Sequence, residues 1–96
     1  MDKYFVYIIS NANNTTLYTW VTNDIIRRIY EHKNKLIDWF SNEYNLTKLV
    51  YYEIYDDIET AINREKKIKR WKREWKDELI DKTNINRNDL YYEILE

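Results

Sequence analysis

The sequence predicts an α/β domain: a small three-stranded, mainly antiparallel sheet flanked by helices, in the order β-β-α-β-α-α. Three observations lead there. Residues 4–10 (YFVYIIS) and 16–21 (TLYTWV) are rich in aromatic and β-branched side chains and flank the polar run NANNT, a hairpin signature. Residues 48–55 (KLVYYEIY) carry the same strand chemistry. Residues 58–80 repeat apolar side chains at helical spacing. At 96 residues the chain suits one domain over 1–96. A chain of that size buries about 60–65% of its unfolded surface, which leaves room for one modest core.

The hairpin comes first. Pairing Ser10 with Thr15 sets Tyr7 opposite Tyr18 and Phe5 opposite Trp20, and the two-residue period of a strand puts all four rings on one face. Thr22-Asn23-Asp24 then offers an N-cap for a helix from Ile25, in which Arg28 and His32 share a face. Residues 36–47 have no clear period beyond one helical turn around Asn42. After the third strand, Asp56 or Asp57 caps the longest helix, 58–80. Its stripe is Ile58, Ala61, Ile62, Ile68, Trp71, Trp75 and Leu79. A polar linker, DKTNINRND, leads to a last helical turn in LYYEILE.

Composition excludes several chemistries. Without cysteine there is no disulfide, thiolate nucleophile, cysteine zinc site or iron–sulfur site, and a lone His32 rules out a zinc site built on several histidines. No apolar run approaches the roughly 18 residues of a membrane span. MDKYFVYII lacks the pattern of a secretory signal, so the expected location is cytoplasmic. The chain also has no glycine and no proline. Turns therefore fall to Asn, Asp, Ser and Thr, with Asn the natural occupant of left-handed backbone.

Two features carry chemistry. Glu65 falls inside the apolar stripe, where a carboxylate must be ion-paired, hydrogen-bonded or metal-bound. Arg64, Lys69 and Arg28 are its candidate partners. Around it, Arg64, Lys66, Lys67, Lys69, Arg70, Lys72, Arg73 and Lys76 oppose only Glu65 and Glu74, a local charge of +6 in a chain whose formal total is -1. Such a field attracts a polyanion, and the expected partner is nucleic acid contacted by these eight residues. Trp71 and Trp75, four apart, read as core anchors, with base stacking as the alternative.

Taken in order, these segments resemble the GIY-YIG endonuclease superfamily, specifically its small single-domain members of bacterial type. VYI at 6–8 stands for the first motif and LYTWVTND at 17–24 for the second, with Tyr7 and Tyr18 as the motif tyrosines. IIRRIYEHKN follows with Arg28 and His32. YNLTKLVYYE, AINREKKIKRWKREWK and NINRNDLY continue the match, and the last aligns Asn84 with a polar family residue. The resemblance implies a metal-dependent endonuclease hydrolysing phosphodiester bonds of DNA or RNA. One Mg2+ or Mn2+ would sit on Glu65, and Tyr7 would help to deprotonate water. Tyr18 and His32 would assist, Arg28 would stabilise phosphate charge, and Asn84 would complete the set. Tyr7, Tyr18, Arg28 and His32 are expected to converge beside Glu65.

The main departure is Trp20, which replaces the glycine of the second motif; Lys35 and Trp39 replace further family glycines and Ile85 a proline. The indole either fills the space meant for substrate, turns away and distorts the strand, or stacks on a nucleobase. Impaired cleavage is the expected consequence. The alternatives are a catalytically inactive nucleic-acid-binding module and a structural or protein-interaction domain. A chain this small has no separate recognition domain, so a homodimer or a protein partner would supply that selectivity.

Overall fold

Strand β1 (Tyr4–Ser10) lies between β2 (Leu17–Thr22) and β3 (Lys48–Tyr55) and runs antiparallel to both. The computed structural model describes residues 2–37 and 39–96. Five helices complete it: α1 (Ile25–Lys33), α2 (Trp39–Glu43), α3 (Ile58–Arg70), α4 (Arg73–Asp81) and α5 (Tyr91–Ile94). The predicted class holds. The one helical turn expected around Asn42 within 36–47 is α2, and Asp38 just before it lies outside the described residues.

The sheet is covered on both faces. On one, Val6, Ile8, Val50 and Tyr51 pack against Ala61, Ile68 and Ile80 of α3 and α4. On the other, Tyr7, Ile9 and Leu49 pack against Ile25, Ile29 and Leu46, with Tyr18, Trp20, Phe40 and Tyr91 around them. Val6 to Ser10 are consequently without solvent exposure. The basic helix α3 thus lies against the sheet, as expected. Among the described residues no helix is long and apolar enough to cross a membrane.

The hairpin register differs from the expected one. Ser10 pairs with Leu17 rather than Thr15, Tyr7 with Trp20 and Ile9 with Tyr18. The cause is local: the Asn11 carboxamide oxygen accepts from the N–H groups of Thr15 and Thr16 at 2.9 and 3.1 Å, which holds both residues in the loop. Asn14 turns the chain there with a φ of 60°. A slip of two residues keeps every side chain on its face, so the four rings still share one.

The long helix expected over 58–80 is two helices. Trp71 and Lys72 are extended, with ψ of 147° and 159°. A continuous helix of that length would run about 35 Å at 1.5 Å per residue. The longest strand beneath it, at about 3.4 Å per residue, covers roughly 27 Å. The break turns α4 back over the sheet and exchanges the roles of two residues. Ile80, off the predicted stripe, is fully buried, whereas Trp75, on it, is 48% exposed. Asp57, not Asp56, caps α3, its carboxylate accepting from the Thr60 N–H at 2.8 Å. Asp24 caps α1 in the same way through Arg27.

Among the described residues, four adopt left-handed backbone: Asn14, Lys35, Asn45 and Arg87. Two are the asparagines that the composition led us to expect. Lys35, at φ 56°, stands where the resemblance has glycine. A side chain in that region costs about 1 kcal/mol, partly offset by glycine's greater freedom when unfolded. Lys35→Gly is therefore expected to raise stability by about 0.5 kcal/mol, a gain of a few degrees in Tm by thermal denaturation. An unchanged or lower Tm would mean that the Lys35 hydrogen bond to Asn45 outweighs the backbone strain.

Candidate active site and basic face

Because β1 is sealed on both faces, the Tyr7 hydroxyl needs an internal partner. It lies 2.9 Å from His32 Nε2, with the rings edge to face at 5.8 Å. His32, itself buried on the inner side of α1, places Nδ1 3.0 Å from the Ser41 hydroxyl of α2. The chain Tyr7–His32–Ser41 joins a strand and two helices. The imidazole thus has a hydrogen-bond partner at each ring nitrogen, with the donor and acceptor roles set by its tautomer. Ser41 was not legible in the sequence, since only the tertiary fold brings the weakly patterned 36–47 segment to His32.

Tyr18 and Trp20 project from β2 on the Tyr7 face. Their rings stack at 5.6 Å with a 14° tilt, and Phe40 stacks on the other side of Tyr18 at 5.2 Å. The indole has neither turned away nor distorted the strand. It lies flat on Tyr18, in the strand pair directly opposite Tyr7. The ammonium of Lys69 sits 4.1 Å from the centre of the Trp20 ring and 5.7 Å from that of Tyr18. The same ammonium is 3.3 Å from Glu65 Oε1, one turn earlier on α3. Glu65 is buried at 7% exposure, so the carboxylate in the apolar stripe has met its need for a partner through Lys69.

Arg28 stands at the rim of a cleft of about 250 Å³ that it lines with Val21, Thr22, Ile58 and Ile62. Its Nε lies 3.4 Å from Glu31 but is too poorly aligned to hydrogen-bond, and the atom is buried without such a bond among the described residues. Asn84 is elsewhere. Its carboxamide donates to the carbonyls of Val50 and Asn88 at 3.0 and 2.9 Å and accepts from the Asn88 N–H. Val50 is the extra residue of a bulge in β3, at the sheet edge opposite β2. There Asn84 and Asp89, which accepts from Leu49 N–H, satisfy backbone groups that the ladder leaves open. Tyr7 and His32 thus meet directly, and Tyr18 meets Glu65 through Lys69. Arg28 lines the cleft with Val21 and Ile62, and Asn84 latches the C-terminal segment to β3.

A divalent ion on Glu65 fits poorly in this arrangement. Among the described residues no group of three or more His, Cys, Asp or Glu side chains comes together. Magnesium often needs only one or two carboxylates beside phosphate and water, so that alone decides little. What bears on it is Lys69, whose ammonium lies 3.3 Å from one carboxylate oxygen, Oε1, and 4.1 Å from the centre of the Trp20 ring. As they stand, the donors would have to release Lys69 to take the ion.

The eight cations of the basic run divide into two groups. Arg64 donates to Glu53 at 3.0 and 2.9 Å. Lys69 is engaged by Glu65, and Arg73 pairs with Asp77 at 3.0 Å while clamping the Thr15 and Asn14 carbonyls of the hairpin loop. These three, expected to meet phosphates, also have partners within the protein, although Lys69 and Arg73 stay exposed. Lys66, Lys67, Arg70, Lys72 and Lys76 have no ion pair among the described residues. Burial first, then the nearby charges of Arg73 and Lys69, holds the Lys76 ammonium below the usual lysine range.

The comparisons agree with this architecture. A family model of the GIY-YIG catalytic domain matches residues 3–78, so the chain belongs to the GIY-YIG family. Within it the chain is similar to small proteins named UPF0213. One from Haloquadratum walsbyi is 34% identical over 86 residues, 88% of this chain and 96% of the relative. One from Clostridium perfringens is 32% identical over 90 residues, 94% and 96% of the two chains. The solution NMR structure of a UPF0213 protein from Bacillus halodurans shares the fold, with a TM-score of 0.55 at 23% identity over 91% of this chain and 92% of that one.

Glu53 gives this region its pH dependence. Burial alone would raise its carboxyl, but hydrogen bonds from Arg64, Tyr51 and Tyr55 to the charged form outweigh it and hold the group below the usual carboxylate range. A lowered folded-state pKa means a stabilisation present above the unfolded value near 4.5 and lost as the pH falls through the folded value. Glu53→Gln is expected to cost about 1.5–3 kcal/mol at neutral pH, the range for hydrogen bonds to a charged group. By urea denaturation at pH 7 and pH 3, the gap between variant and parent should shrink in acid. A gap that stays constant would contradict the assignment.

Proposed function

We propose that this chain is a nucleic-acid-binding module built on the GIY-YIG scaffold, in which Lys69 and Trp20 close the reaction site. The observation that carries the reading is the division of the basic run. Lys66, Lys67, Arg70 and Lys72 are exposed and unpaired among the described residues, along the outer side of α3 and across its break, with half-buried Lys76 beside them. Phosphates binding there release counterions from the nucleic acid, so affinity falls with salt by about 0.7–0.9 units of slope per contact.

The closed site supports the second half of the reading. The Tyr7 hydroxyl is wholly buried and hydrogen-bonded to His32, so substrate reaches it only after the Tyr18–Trp20 stack moves. The resemblance supports a second reading, metal-dependent cleavage of DNA or RNA, in which Tyr7, His32 and Glu65 are the site residues that the motifs imply. For that activity Mg2+ or Mn2+ would have to replace Lys69 on Glu65, with Arg28 then facing the phosphate.

Two measurements separate the readings. Lys66→Gln, Lys67→Gln and Arg70→Gln together should flatten the dependence of log K on log salt by about 2–3 units, and an unchanged slope would favour a structural domain. Incubated with Mg2+ or Mn2+, the protein should leave single-stranded, nicked, flapped and branched substrates intact. Trp20→Gly should gain cleavage while losing thermal stability. Metal-dependent cutting by the unmodified chain would establish the endonuclease instead.

A further inference from the structure

We propose that Trp75 is a stacking post for an unpaired nucleobase, which makes single-stranded nucleic acid the preferred ligand of the basic face. The inference rests on the nucleic-acid reading above and specifies its substrate. The apolar spacing cast Trp71 and Trp75 alike as core anchors, but the break after α3 separates them. Trp71 stays partly buried against the Val6–Ile8 cluster, with the Arg64 guanidinium over its ring at 5.1 Å. Trp75 is 48% exposed and outside both apolar clusters.

Exposure alone singles out nothing, since Trp39 at 73% is more exposed; what distinguishes Trp75 is that it stands among cations. Trp75 stands edge-on to Trp71 at 6.2 Å, and both rings form walls of two adjoining clefts. The larger, about 490 Å³, is otherwise lined by Asn63, Lys66, Lys67 and Arg70. The second, about 340 Å³, is lined beyond the two indoles by Glu78, Leu79 and Lys82, so the phosphate track belongs to the larger cleft. Three cations that no internal carboxylate engages thus line the cleft that the indole walls, and a fourth, Lys72, lies over the indole ring at 5.1 Å.

That pairing of chemistries matches one ligand. A phosphodiester chain tracking Lys66, Lys67 and Arg70 carries a base every nucleotide, and an aromatic face beside the track gives an unpaired base a stacking surface. In a duplex the bases are already stacked on one another, so the same phosphates would bind while Trp75 contributed nothing. The indole therefore adds affinity for single strands alone. It does so whatever the base, because every base presents a π face.

The test measures binding of the full chain to a labelled oligothymidine, to the same strand with abasic residues, and to a matched duplex, at one fixed salt concentration by fluorescence anisotropy. Trp75→Ala is expected to fold normally by circular dichroism, since the ring is outside the core. It should weaken oligothymidine binding about tenfold while changing duplex and abasic binding less than twofold. Trp75→Phe should restore most of the loss. Equal losses on all three ligands, or no loss on oligothymidine, would overturn the stacking role while leaving the phosphate contacts of the Lys66, Lys67 and Arg70 variants standing. Failure of the unmodified chain to bind any of the three would overturn the nucleic-acid reading, and this inference with it.

Discussion

The structure depends on burying β1 between two strands and beneath helices on both faces. A strand in that position has no water for its polar side chains, and Tyr7 is the case that matters. An unpaired buried hydroxyl costs about 1–3 kcal/mol, so α1 must present His32 and α2 must present Ser41 behind it. That requirement fixes where two helices sit on the sheet. It also joins Tyr7 and His32, two residues that the GIY-YIG resemblance singles out, by one hydrogen bond.

On the other side of this centre the protein has supplied its own cation. Lys69 is held from below by the Glu65 carboxylate and from above by the Trp20 ring, and that ring is supported in turn by Tyr18 and Phe40. Each contact is modest alone, an ion pair and a cation–π contact being worth on the order of 1 kcal/mol each near a surface. Together they hold one ammonium where a smaller residue at position 20 would leave it free to move. The account of Trp20 follows from this. Its ring lies over the lysine beside the carboxylate, and the exposed cations left without an ion pair among the described residues are Lys66, Lys67, Arg70 and Lys72.

Much of this was legible in the sequence, for identifiable reasons. Strand alternation put Phe5, Tyr7, Tyr18 and Trp20 on one face, and a register error of two residues left that intact. The register itself was not legible, because the Asn11 carboxamide that lengthens the loop acts through a side-chain hydrogen bond that propensity does not record. Glu65 was legible as a carboxylate in an apolar stripe, with Lys69 among its possible partners. The helix break was not. Neither glycine nor proline marks it, and it arises from a mismatch between helix length and sheet length. Ser41 and the latch role of Asn84 were hidden for a related reason, since each acts on backbone or side chains far away in sequence.

The central claim is that Lys69, not a divalent ion, is the cation on Glu65. Paramagnetic relaxation tests it most directly, with the indole N–H resonance of Trp20, assigned by comparison with Trp20→Phe, followed during a Mn2+ titration. The account predicts that this resonance stays sharp in the unmodified protein and broadens selectively in Lys69→Met, where the carboxylate is released. Selective broadening in the unmodified protein would contradict it.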